Sequence, residues 1–144
     1  MSQDPARITL TRRVDWVDTD AAQVAHWTTV FRLVEAAEAH LHHRLGIQGE
    51  TFGRTPRVHV ESSFRKELRF FDRAELRLQV DSVGRTSLRY AFHIHLEGDE
   101  DPAVEGALVV VYVTGQPQGR PTPWPPELRE RLLEGGDQGE VAGA

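Results

Sequence analysis

Between Trp27 and Leu45 the apolar side chains Trp27, Val30, Phe31, Val34, Leu41 and Leu45 recur at offsets of three and four, and Gly46 follows at once. That pattern predicts one amphipathic helix with a built-in stop. The other apolar residues alternate instead. Residues 8 to 16 put Ile8, Leu10, Val14 and Trp16 on one side of a strand, and Val58, Val60 and Phe64 begin a second. Leu76, Leu78 and Val80 mark a third, and Leu88, Tyr90, Phe92, Ile94 and Leu96 a fourth. The segment Ala107 to Val113 is apolar throughout, as suits a strand covered on both faces. One long helix among five strands joined by short turns predicts an α+β fold with a mainly antiparallel sheet. A single helix covers one face of that sheet, leaving the other to solvent or a second subunit.

The 144 residues predict a single domain over residues 1–134, closing with a short helix from Pro126 to Glu134. Residues 135–144 are expected to be a disordered tail. A net charge of −5 argues against nucleic acid or an anionic membrane as partner. The run from Ala107 to Val113 is too short to span a bilayer, and the N-terminus MSQDPARITL has no export signal, so a cytoplasmic location is expected. Absence of cysteine removes disulfides, thiolate metal sites and cysteine nucleophiles. His40, His42 and His43 cluster, and His93 and His95 share a strand face opposite the apolar one. Offsets of two and three do not converge imidazoles, so these residues are expected on the outer surface or a subunit contact, with no metal.

The loop ahead of the helix reads Asp18-Thr19-Asp20-Ala21-Ala22-Gln23-Val24-Ala25-His26-Trp27. It brings two carboxylates and a histidine to a helix start, where unpaired N–H groups carry partial positive charge and can hold a carbonyl oxygen turning negative. A neighbouring carboxylate can attack that carbonyl or activate water. The same residues also fit a plainer role, with an aspartate shaping the turn and His26 capping the helix.

The stretch DTDAAQVAHW, followed by FRLVEAAEAHL, resembles the 4-hydroxybenzoyl-CoA thioesterase family of hotdog-fold acyl-CoA thioesterases. Thr55-Pro56, the strand VHVESSFRKELRFFD and the turn SVGRTSL extend the likeness over roughly residues 8 to 115. The resemblance implies a five-stranded antiparallel sheet wrapped around one long helix. It also implies hydrolysis of an acyl-CoA to free acid and CoA without a cofactor, by a homodimer or homotetramer. Asp20 takes the family's catalytic carboxylate position, as nucleophile or general base, and Asp18 becomes structural. Trp27 supplies the backbone N–H that polarises the thioester oxygen. His26 stands where an orienting or merely packed residue is expected. The sequence departs from the family pattern at Ala22-Gln23, where Ala-Gly or Gly-Gly is frequent, and at Thr29, where Asn is frequent.

Glu35 lies nine residues after His26, the spacing by which another hotdog branch places its acid on the helix; the alternative is a rim carboxylate held by an arginine. Glu38 falls within the apolar stripe and needs a partner, most simply an arginine of a neighbouring strand or subunit. Arg85 and Thr86, in the turn Gly84-Arg85-Thr86-Ser87, match a turn that contacts the nucleotide end of CoA in similar thioesterases, where an arginine fork suits phosphate. Two rival readings stand beside hydrolysis: a hotdog dehydratase acting on hydroxyacyl thioesters through His26, and a noncatalytic acyl-CoA-binding subunit.

Overall fold

Ile8, Leu10, Leu76, Leu78, Phe92 and Ile94 are all buried, and strand register sets them side by side. Ile8 faces Leu78, which faces Phe92; Leu10 faces Leu76, which faces Ile94. These rows form the sheet face on which the helix lies. The computed structural model describes residues 3–115 and 117–143, so Met1, Ser2, Gln116 and Ala144, the last closing the expected tail, lie outside it.

In chain order the elements are β1 (Arg7–Arg13), a 3-10 turn (Trp16–Asp18), α1 (Trp27–Leu45), α2 (Gln48–Thr51), β2 (Arg57–Phe64), β3 (Arg73–Val83), β4 (Ser87–Leu96) and β5 (Val104–Val111). A small hairpin, β6 (Val113–Thr114) with β7 (Arg120–Pro121), then leads to α3 (Pro126–Glu134) and β8 (Asp137–Ala142). The main sheet has the order β2-β5-β4-β3-β1-β8. Every pairing in it is antiparallel except β1 with β8.

α1 forms as its pattern predicts. Val30, Leu33, Val34, Ala37, Leu41 and Leu45 are buried, and burying each of the larger side chains contributes about 2 kcal/mol. Gly46 ends the helix at φ 74°, a left-handed conformation that a Cβ would strain. Ile47 N–H then reaches back to the His42 carbonyl at 3.0 Å. Among the described residues no helix is long and apolar enough to cross a membrane.

Three expectations need correction. β1 stops at Arg13, and Trp16 sits exposed on the 3-10 turn, because Asp18 pulls the chain out of line by accepting from Asp15 N–H at 2.8 Å. The sheet has six strands, not five. The sixth is β8, drawn from the segment expected to be disordered. Its sequence DQGEVA carries no alternating pattern, but β1 offers an open edge, and Arg44 on α1 donates to the carbonyls of Gln138 and Glu140. Finally, β2 is exposed along nearly its whole length, including Val58, Val60 and Phe64. It is an edge strand, so its apolar side chains are covered only in part within the chain.

Candidate active site

The loop between β1 and α1 is organised by Asp18. Its carboxylate accepts from the Arg12 guanidinium at 2.6 Å and from Asp15 N–H at 2.8 Å. Its carbonyl accepts from His26 N–H at 2.7 Å and from the Thr29 hydroxyl at 2.9 Å. Strand, turn and helix start are therefore fastened through one buried residue, and Asp18 is structural.

Asp20 is exposed. Its Oδ1 accepts from Ala22 N–H at 2.8 Å and from Val24 N–H at 3.4 Å, while Oδ2 has no partner among the described residues. Gln23 closes this turn at φ 64°, donating its N–H to the Asp20 carbonyl at 3.0 Å. The position at which the family pattern favours glycine keeps its left-handed backbone with a glutamine in place. Ala25 donates to the Leu68 carbonyl, and Phe70 donates to the Gln23 carbonyl at 2.9 Å, so the loop is pinned to the segment before β3.

At the start of α1, His26 accepts Thr28 N–H on Nδ1 at 3.2 Å, and its carbonyl accepts Thr29 N–H at 2.9 Å. Trp27 N–H has no acceptor among the described residues, as expected of the first helical turn. The Trp27 side chain is exposed, stacks on His26 at 5.8 Å and meets Phe31 edge-on at 5.9 Å. The corner where the loop enters α1 thus has a carboxylate oxygen without a partner on the loop and an unsatisfied N–H at the helix start. A cavity of about 180 Å³ beside the loop is lined by Val24, Ala25, Val30, Leu68 and the charged run Arg65-Lys66-Glu67, and by neither Asp20 nor Trp27.

Glu35 does not join this corner. It lies two helical turns beyond Trp27, about 12 Å along the axis. Its side chain is 63% exposed and 3.5 Å from Arg57, the rim-carboxylate arrangement. Glu38 is buried and bound by the same Arg57, which reaches it from β2 through both terminal nitrogens. Arg85 and Thr86 are more distant still. β3 runs about 33 Å from the end beside the Asp20 loop to the turn that carries them. That turn is fixed by Arg129 of α3, which donates to the carbonyls of Val83 at 3.0 Å and Gly84 at 2.8 Å. Within one chain, Arg85 and Asp20 occupy opposite ends of the sheet.

The histidines divide differently from expectation. His42 is fully buried and His95 nearly so, rather than on the outer surface. His42 sits between Thr51, at 2.6 Å from Nδ1, and Tyr90, at 2.6 Å from Nε2. A neutral imidazole, one nitrogen donating and one accepting, satisfies both hydroxyls. Burial, with Arg57 nearby, lowers the His42 pKa to about 4, and burial raises that of Tyr90 well above its ordinary value. The one sequence signal for it is that His42 follows Glu38 by one turn on the buried face, while its partners Thr51 and Tyr90 come from elsewhere in the chain. No group of three His, Asp or Glu among the described residues is placed to share a metal ion.

A sequence profile of the thioesterase-like superfamily matches residues 14–132. No curated protein sequence matches significantly. Among solved structures, a mutant of 4-hydroxybenzoyl CoA thioesterase complexed with 4-hydroxybenzoyl CoA superposes with a TM-score of 0.78 at 17% identity, covering 88% of this chain and 99% of that one. A predicted thioesterase from Bacillus stearothermophilus gives 0.77 at 23% identity, over 88% and 94%. A 1,4-dihydroxy-2-naphthoyl-CoA thioesterase from Synechocystis gives 0.74 at 19% identity, over 88% and 95%.

Proposed function

The chain belongs to the thioesterase-like superfamily and is a thioester hydrolase of hotdog fold, and from that premise we propose that it cleaves cytoplasmic acyl-CoA, with Asp20 as the catalytic carboxylate and Trp27 N–H as the oxyanion donor. The observation that supports this reading is a partner-free Asp20 Oδ2 on the loop that leads directly into the unsatisfied N–H at the head of α1. The thioester oxygen docks on Trp27 N–H, which stabilises the negative charge developing there. Asp20 either attacks the carbonyl carbon itself or takes a proton from the water that does. The tetrahedral adduct expels the CoA thiolate, which takes up a proton; with water as nucleophile this leaves the carboxylic acid directly, and with Asp20 as nucleophile it leaves an acyl–Asp20 anhydride that water hydrolyses to the acid and the free carboxylate. Solved neighbours named for CoA thioesters support CoA as the carrier.

Dehydration is disfavoured because the His26 ring is already engaged in capping α1 through Nδ1. Exposed Val58, Val60 and Phe64 on the outermost strand support assembly through β2 into a homodimer, which joins two sheets edge to edge and covers apolar surface. Contact of Arg85 and Thr86 with the CoA of a site on another subunit extends this to a tetramer. The test is thiol release from a panel of aliphatic and aromatic acyl-CoAs by the native chain and Asp20→Asn. Turnover lost in the variant supports the reading. Acyl-CoA binding without any thiol release from the native chain points to a noncatalytic binding subunit instead.

A further inference from the structure

Trp16, Phe70 and Phe71 form an aromatic ledge that the core does not use. Trp16 is 66% exposed and Phe71 62%, and Phe70 lies between them, less exposed. The Trp16 and Phe70 rings meet edge-on at 5.4 Å, and those of Phe70 and Phe71 are 5.9 Å apart. Together they leave roughly 350 Å² of aromatic surface in water, the size at which a patch on a single chain is commonly functional. Phe71 also sits at φ 75°, which strains an L side chain, and so exposed a ring recovers little by burial. The turn requires that backbone, because Phe71 N–H donates to the Val14 carbonyl at 2.8 Å and Phe71 O accepts from Arg13 at 3.1 Å, but a glycine would serve it as well. The Arg13 guanidinium, 4.4 Å over the ring, is worth less than the strain.

The ledge belongs to the loop that carries Asp20. Trp16 lies four residues before Asp20, at most about 14 Å away even along an extended chain. Its carbonyl accepts from Thr19 N–H at 3.1 Å and from the Thr19 hydroxyl at 2.7 Å. Phe70 N–H holds the Gln23 carbonyl at 2.9 Å, and Val24 bridges to Arg69. Around the rings, Arg69 is paired with Glu67 at 2.6 Å and Arg73 with Glu97 at 3.4 Å, while Arg13 has no carboxylate partner among the described residues. Paired charges leave no basic surplus to draw an anionic bilayer. Open aromatic faces beside one uncommitted guanidinium instead suit a flat heteroaromatic ring that carries phosphate. The nucleotide of CoA has that chemistry. Within one chain Arg85 stands at the opposite end of the sheet from Asp20, whereas the ledge is part of the Asp20 loop itself.

We infer that the ledge docks the adenine ring of the CoA whose thioester sits at Asp20, stacked on Trp16 beside Phe71, with Arg13 pairing a phosphate. The inference rests on the acyl-CoA reading above and adds a base-binding subsite to it.

The experiment measures KM and kcat for the best acyl-CoA of the panel and for the same acyl group on 4′-phosphopantetheine, which keeps the arm and one phosphate but has no adenosine. Trp16→Ala is expected to raise KM for acyl-CoA on the order of 10-fold, the scale of one base stacked on one aromatic ring, with kcat kept and the phosphopantetheine thioester unaffected. Trp16→Phe keeps an aromatic face and recovers most of that loss. Phe71→Gly raises KM in the same direction, and Arg13→Gln flattens the rise of KM with salt. Equal losses on the two substrates, or none on either, overturn the inference while hydrolysis stands. Two other outcomes overturn it by giving the ledge a different occupant: Trp16→Ala sedimenting as a smaller species than the native chain, or the native chain but not Trp16→Ala co-sedimenting with phosphatidylcholine vesicles. If the native chain releases no thiol from any thioester, the acyl-CoA reading fails, and equilibrium binding of CoA and of 4′-phosphopantetheine tests the ledge by itself. CoA held more tightly than 4′-phosphopantetheine, in a manner lost with Trp16, upholds the subsite, and equal affinity overturns it.

Discussion

Asp18 and Asp20 leave one turn with opposite fates. Asp18 is 4% exposed and paired with Arg12 at 2.6 Å, whereas Asp20 is exposed and uses only Oδ1 to hold the turn. A buried carboxylate with a fixed cation is suited to fastening. An exposed one with an oxygen to offer is suited to reaction.

Asp20→Asn keeps the size of the side chain and removes its charge, so kcat should fall on the order of 10²-fold or more with substrate binding largely kept. Asp18→Asn should instead lower stability by about 2 kcal/mol in urea unfolding, through the weakened Arg12 contact, with a smaller effect on kcat. Glu35→Gln belongs in the same series. Near-normal turnover in Asp20→Asn together with collapse in Glu35→Gln moves the chemistry to the helix.

Gln23 sits at φ 64°, where an L side chain is strained. Gln23→Gly should therefore stabilise the chain by about 0.5 to 1 kcal/mol, the relief of strain outweighing the extra freedom of the unfolded glycine. An unchanged or lower denaturation midpoint contradicts this.

The pKa of His42 is lowered in the folded chain from 6.5 to about 4 by burial and then by Arg57. The unfolded state consequently binds more protons between those values. The His42 contribution is complete above pH 6.5 and is lost as pH falls toward 4, an effect of about 3 kcal/mol. Urea midpoints measured across this range should decline more steeply for the native chain than for His42→Gln, which has no imidazole to protonate. Parallel declines would remove His42 from the acid response.

Val58 is 58% exposed on the outermost strand. Val58→Asp should shift sedimentation toward the monomer and reduce turnover in step. A native chain that sediments as a fully active monomer at assay concentration defeats the proposed assembly.

Arg85→Ala should raise KM for acyl-CoA more than it lowers kcat, because a phosphate contact acts on binding. The effect should vanish for truncated thioesters without the nucleotide and in Val58→Asp if that variant is monomeric, since Arg85 and Asp20 lie at opposite ends of one sheet. Equal losses on full and truncated substrates exclude the contact.

Periodicity alone determined α1 with its glycine stop and the core-facing residues of β3 and β4, because these follow from short-range spacing, whereas Asp20 was singled out from Asp18 by the resemblance of their motif to a family. Even Glu38's need for an arginine was legible, since a carboxylate inside an apolar stripe has few other solutions. The identity of that arginine was not: Arg57 is 19 residues away in sequence and meets Glu38 only after β2 folds back along α1. β8 likewise has no pattern of its own and exists because β1 presents an unpaired edge. His42, expected outside, is buried because Thr51 and Tyr90 close over it and supply its two hydrogen bonds. Local pattern records which face of an element is apolar, while long-range pairing, which brings distant partners and open edges together, is settled by the fold as a whole.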